Sequence, residues 1–324
     1  MRAMICKEYG PPETLEYGEL PSPELGKNDV RIRVHACGVN FPDTLIIENK
    51  YQVKPELPFA PGGEVAGEVI EVGEAVQQYK PGDRVMALTG YGGFAEEVVT
   101  DANRAVPVPP GMDFVTAAGF SMVYGTSYHA LVQRGQLKEG ETLVVLGASG
   151  GVGLAAVEIG KALGARVIAC ASSDEKLQIA KDHGADELIN YSSEDLKARV
   201  KELTGSKGAD VCYDPVGGDA FDAMSRSMNW NGRLLVVGFA SGRIPQLPVN
   251  LALLKGYQLV GVFWGAFVGR DPKTNYKNFQ HLFQLYGEGK LKPHVCRTYP
   301  LEKAPEALND LLGRRVTGKV VLEI

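Results

Sequence analysis

The chemistry most legible in this chain lies in seven consecutive residues, "GASGGVG" (Gly147 to Gly153), between "TLVV" and a long apolar run. A strand, a glycine-rich turn and a helix bring backbone N–H groups and a helix N-terminus to one point, as a pyrophosphate requires. Ser149, Gly150, Gly151, Val152 and Gly153 form the candidate cradle, its glycines leaving room for close approach. The alternative is a tight turn that only packs a helix on a sheet. About 20 residues past such a motif, an acidic side chain would take the ribose hydroxyls of NAD. Here "VIACASSDEK" ends in Ser172 and Ser173, with Lys176 a turn later. Hydroxyls plus a cation suit a 2′-phosphate and hence NADPH, and Tyr191 in "INYS" is a further candidate partner. A serine N-cap beside an exposed lysine is the other reading, and Asp174 turned inward would favour NAD.

The elements around these residues alternate. From Glu141 to about Gly265, buried apolar runs bounded by glycine ("TLVVLG", "RVIACAS", "ADVCYDPVG", "GRLLVVGFA") alternate with helical segments such as "GVGLAAVEIGKALG". That rhythm predicts an α/β, doubly wound parallel (Rossmann) sheet. The first 120 or so residues read differently. "DVRIRVHACGVN", "GEVAGEVIEVG", "DRVMAL" and "FAEEVVT" are strands parted by turns such as "KPGD", which predicts a compact antiparallel, barrel-like unit. After Gly265 the chain is expected to return to that first unit, giving one domain from residues 1–122 with 266–324 and a second from residues 123–265.

Bulk properties narrow the function classes. A length of 324 residues suits two domains. A net charge of -5 gives no support to nucleic-acid or anionic-membrane binding, and the apolar runs are too short to span a bilayer. The opening "MRAMICKEYG" reads as a first strand, without a signal-peptide layout. Five scattered cysteines with no Cys-x-x-Cys argue against a disulfide framework or a cysteine zinc site and suit a reducing, cytoplasmic setting.

The glycine stretch fits two templates. Read as Gly-x-x-x-Gly-x-Gly it resembles the short-chain dehydrogenases, which need a helical Tyr-x-x-x-Lys. The two formal matches, Tyr286 to Lys290 and Tyr299 to Lys303, are broken by glycines and by a proline. The whole chain instead resembles the medium-chain dehydrogenase/reductase superfamily, in particular its zinc-free quinone oxidoreductase branch. The matching stretches run in order from "GVNFPDTL" through "PFAPGGEVAGEV", "KPGDRV", "YGTSYHAL", "GASGGVG" and "DPVGG" to "GKVVLEI". The resemblance implies a GroES-like domain built from both chain ends, a Rossmann domain between them, a cleft at their junction, and a homodimer or homotetramer.

Zinc alcohol dehydrogenases of that superfamily carry a cysteine where this chain has Asn40 and a histidine where it has Gly63. Glu64 alone does not make a three-ligand site, and Cys37 and His35 are expected to be core residues, so no metal is expected. Without a Lewis acid, simple alcohol oxidation is disfavoured. Hydride donation from NADPH to a quinone or another α,β-unsaturated carbonyl remains, because conjugation spreads the developing charge. Family matching then assigns Tyr51 as an active-site phenol able to donate a proton, and Asn40 as a donor to nicotinamide ribose or substrate, with Asp43 holding that loop. It places Thr126, Phe239, Ser241, Phe263, Trp264 and Lys319 around the nicotinamide, Trp264 lining either the cleft or a dimer edge. Two other functions stay open: an enoyl- or acryloyl-thioester (CoA) reductase, for which "GRDPK" and "GRR" would supply a basic rim, and a non-catalytic NADPH-binding protein on the same scaffold.

Overall fold

The computed structural model describes residues 1–324. It divides into two compact units, Met1–Met122 with Pro293–Ile324, and Val123–Lys292. No helix is long and apolar enough to cross a membrane.

The first unit is organised by the strand Asp29–Val39, whose Val30, Ile32 and Val34 alternate into the core. Along one side it pairs antiparallel with Glu64–Val72. Its other side is shared, the first half pairing with Glu97–Asp101 and the second half with Lys319–Glu323. The sheet continues from Glu64–Val72 to Arg84–Leu88 and Ala105–Pro107, and from Lys319–Glu323 to Val295–Pro300, the one parallel pair. The register sets Gly38 opposite Glu64 and Val39 opposite Val320. Three strands from distant parts of the chain therefore deliver Asn40, Glu64 and Lys319 to one end of the sheet. Gly38 is required there: a Cβ on it would stand 2.1 Å from the Ala118 carbonyl oxygen and 2.7 Å from Glu64 Oε2.

The second unit is a six-stranded sheet in the spatial order Glu187–Asn190, Arg166–Ala171, Thr142–Leu146, Ala209–Asp214, Met228–Val236, Gln258–Gly261. Every pair is parallel. Leu143, Val144, Val145 and Leu146 are all fully buried, as a strand covered on both faces requires. Strand order reverses between Thr142–Leu146 and Ala209–Asp214, the point at which such sheets bind ligands.

The expected return to the first unit after residue 265 comes later, at Pro293. The helices Trp264–Arg270 and Pro272–Gly287 belong to the second unit. They are held by polar bonds between Trp264 and Asn275, Gln133 and Asn278, and Tyr128 and His281, and by the buried Phe279, Leu282 and Leu285.

Candidate active site

In the first unit, the strand Asp29–Val39 ends at Asn40, which begins the short helix Phe41–Ile46. Lys319 is buried, and its ammonium donates to Val39 O at 3.0 Å, Asn40 Oδ1 at 2.7 Å and Glu64 Oε2 at 3.2 Å. All three donors are thus used inside the protein. Glu64 is also fully buried, its Oε1 accepting from the Met122 N–H at 2.6 Å. Asn40 Nδ2 donates to Gly38 O at 3.1 Å and to Glu64 Oε2 at 3.0 Å. This bears on the expectation that Asn40 donates to a ribose or substrate. Neither Asn40 nor Lys319 has a donor left for a ribose, nicotinamide or substrate, because a buried ion pair holds only when its remaining valences are met.

Asp43 does hold the loop, its Oδ2 accepting from the Asn40 N–H at 2.8 Å. Burial pushes its carboxyl up to about 7, against the pull of that hydrogen bond and of the Lys319 charge. Tyr51 is half-buried against the same core. Burial first, then the Asp43 charge, raises its phenol above the ordinary value, so it keeps its proton at neutral pH. Cys37 is a core thiol raised by burial. His35, expected in the core, is partly exposed and stacks on Phe114 with ring centroids 4.6 Å apart.

In the second unit, the turn after Thr142–Leu146 has Gly147 at φ +59°, and Gly150 caps the helix Gly151–Ala162 without a side-chain bond. The first N–H groups of that helix are therefore left for a ligand. A Cβ on Gly153 would stand 2.2 Å from Gly147 O, so the helix seats on its own turn only with glycine there. Ser149 is buried in the turn. At the end of the next strand Ser172 is exposed, and Ser173 caps the helix Asp174–Asp182 through the Lys176 N–H at 3.4 Å. Lys176 and Tyr191 are half-buried. Asp174 is exposed, and its Oδ1 accepts from Asn190 Nδ2 at 2.8 Å.

Beyond the switch point, Asp214 Oδ1 accepts from the N–H groups of Val216 and Gly217, both at 2.8 Å. Burial raises this carboxyl to about 6. The bonds fold "DPVGG" back so that Gly217 and Gly218, both at positive φ, lie under Phe239 and Ser241. Phe239 and Phe263 are exposed, and Ser241 is half-exposed. Trp264 is buried inside the second unit: its indole N–H donates to Asn275 Oδ1 at 3.0 Å, and its ring fills the space beside Gly125. Thr126, half-buried, follows Gly125 and precedes Ser127, whose Oγ bonds Val152 O at 2.8 Å. Arg315, in "GRR", is exposed and pairs with Asp310 at 2.7 Å. Sequence reasoning does not reveal Asp214 and Glu64 as site-shaping residues; the signal for each is a lone carboxylate inside an apolar, glycine-rich run.

The profile described as "Zinc-binding dehydrogenase" matches residues 151–284, and "Alcohol dehydrogenase GroES-like domain" matches residues 26–110. The chain is 42% identical over 324 residues to quinone oxidoreductase-like protein 2 homolog of Nematostella vectensis, covering 99% of this chain and 88% of the relative. It belongs to the quinone oxidoreductase branch of the medium-chain dehydrogenase/reductases. Among solved quinone oxidoreductases, that of Pseudomonas syringae superposes with a TM-score of 0.94 at 33% identity, covering 100% of this chain and 99% of the other. The Escherichia coli quinone oxidoreductase, solved in complex with NADPH, superposes at 0.93 with 30% identity and full coverage of both chains.

A catalytic zinc ion requires three protein ligands converging on one point. No group of three or more His, Cys, Asp or Glu side chains is placed to hold a metal ion. Glu64 has both oxygens engaged, and a cation set beside it would face the Lys319 ammonium. These residues do not fit a zinc ion.

Proposed function

We propose that this chain is an NADPH-dependent, zinc-independent oxidoreductase that passes reducing equivalents to quinones or related α,β-unsaturated carbonyl compounds. The observation that carries the reading is the uncapped glycine cradle at the strand-order reversal, with no acid aimed from Ser172 and Ser173, in a chain 30% identical to a quinone oxidoreductase solved with NADPH. When bound, NADPH supplies the hydride.

The chain's own residues divide the remaining work. The N–H groups of Gly151, Val152 and Gly153, with Ser149, take the pyrophosphate, while the Gly150 N–H closes the turn on Gly147 O at 3.0 Å. Ser172, Lys176 and Tyr191 take the 2′-phosphate, where hydroxyls and a cation suit a dianion. Thr126, Phe239, Ser241 and Phe263 flank the nicotinamide, with Trp264 as the wall behind Thr126. Tyr51 hydrogen-bonds the acceptor oxygen and delivers its proton as charge develops there. Asn40 and Lys319 act by position, the Lys319 ammonium tying Asn40 Oδ1 to Glu64 Oε2 inside the protein. Four buried, unpaired cysteines accord with a cytosolic location.

A homodimer is part of the proposal. The strand Gln258–Gly261 ends its sheet with one neighbour only, and Leu259, Leu253, Leu254 and Trp230 are exposed nearby in sequence and fold. An unpaired edge with apolar cover is a template for a second copy.

The deciding experiment is NADPH oxidation by the purified protein with a panel of quinones, enones and enoyl-CoA esters, alongside light scattering for mass. Turnover with quinones or enones supports the reading. Turnover confined to enoyl-CoA esters replaces the substrate class, and no oxidation with any acceptor replaces catalysis with binding.

A further inference from the structure

We propose that Asn190 is a specificity-determining residue for the cofactor, acting by holding the Asp174 carboxylate out of the ribose-binding role; this rests on the NADPH reading above. Asp174, the first residue of the helix that follows the second strand, is the acidic side chain that could serve as the ribose acceptor of an NAD enzyme, and a carboxylate free at that place would repel a 2′-phosphate. It is not free. Its Oδ1 accepts from Asn190 Nδ2 at 2.8 Å.

Asn190 is itself fixed at every valence the bond needs. It ends the strand Glu187–Asn190 in register with Ala171, the residue before Ser172. Its Oδ1 accepts from the Ser192 N–H at 3.1 Å, and its own N–H donates to Glu194 Oε1 at 2.8 Å. With Oδ1 taken as an acceptor, the amide must turn Nδ2 toward Asp174. Only a side chain with both an acceptor and a donor at this length performs both tasks; aspartate keeps the first and loses the second. Tyr191, the next residue, has its N–H on Ala171 O at 3.1 Å, so the same strand end carries a 2′-phosphate candidate and the clamp on its competitor.

The test is equilibrium binding of 2′,5′-ADP and 5′-AMP to the full chain, which reads the ribose site without turnover. Wild type should prefer 2′,5′-ADP. Asn190→Ala should cut that preference about fivefold, as loss of one solvent-exposed hydrogen bond of ordinary strength implies. Asn190→Asp keeps the acceptor for Ser192 but adds a carboxylate of its own beside Asp174, so it should cut the preference further than Asn190→Ala does. In an Asp174→Asn background, Asn190→Ala should leave the preference unaltered. An unaltered preference in Asn190→Ala, or a fall that persists without the Asp174 charge, overturns the inference and leaves the NADPH reading standing. A wild type that binds both nucleotides equally sinks the NADPH reading, and the inference with it.

Discussion

Lys319 Nζ lies 3.2 Å from Glu64 Oε2, both side chains are buried, and the two residues are 255 positions apart in sequence. The strand register beside Gly38 and Val39 makes the meeting possible. Removing one partner of such a pair leaves an uncompensated charge in the core. Lys319→Met should therefore cost about 3 kcal/mol of folding stability by chemical denaturation, and adding Glu64→Gln should recover part of it. Equal stability in the single variant and the wild type would show that the pair is not an ion pair in solution. Purified wild-type protein should also hold no stoichiometric zinc by elemental analysis, and chelators should leave activity unchanged.

Asp43 gives stability a pH dependence of unusual sign for a carboxylate. Its carboxyl is pushed to about 7 in the folded chain against 3.8 as reference, so between those values the folded form binds a proton that the unfolded form has lost. Its contribution is fully present at low pH and is lost as pH rises through about 7, an effect on the order of a few kcal/mol. Asp214, raised to about 6, acts in the same direction over a narrower window. Melting temperatures between pH 4.5 and 8 should fall less steeply for Asp43→Asn than for wild type. Parallel curves would remove Asp43 as the source.

Much of this architecture is legible in the amino-acid order alone, and the reason is locality. Leu143 to Leu146 announce a strand buried on both faces, and Gly153 is demanded by an oxygen six residues away. The first unit's cation is different: nothing near "GKVVLEI" reveals that Lys319 will meet "GGE", because strand register decides it. The helix Pro272–Gly287 also shows its apolar face in sequence, but that face fits either sheet, and only Asn275, Asn278 and His281 finding Trp264, Gln133 and Tyr128 resolves the choice. Asn40 reads as a free donor in sequence for the same reason, since its partners lie on other strands.

The cradle can be tested without chemistry. Gly153→Ala places a methyl 2.2 Å from Gly147 O, so either the helix Gly151–Ala162 shifts off its turn or the turn opens. NADPH affinity should fall at least tenfold by fluorescence titration, with a loss of stability of about 1–3 kcal/mol from overpacking. Retained affinity would mean the pyrophosphate is held elsewhere.

Tyr51 carries the strongest claim about catalysis. Its phenol keeps its proton at neutral pH because burial and the Asp43 charge both oppose ionisation. A group of that kind contributes as a general acid, typically about 10²-fold or more. Tyr51→Phe should lower kcat with enones by about that factor while NADPH affinity is unchanged. Quinones, which spread charge over a second carbonyl, should suffer less. If Tyr51 only fills space, both acceptor classes would keep full turnover. If it only orients the acceptor, KM would rise while kcat held, so the split between the two constants separates the proton donor from the wall.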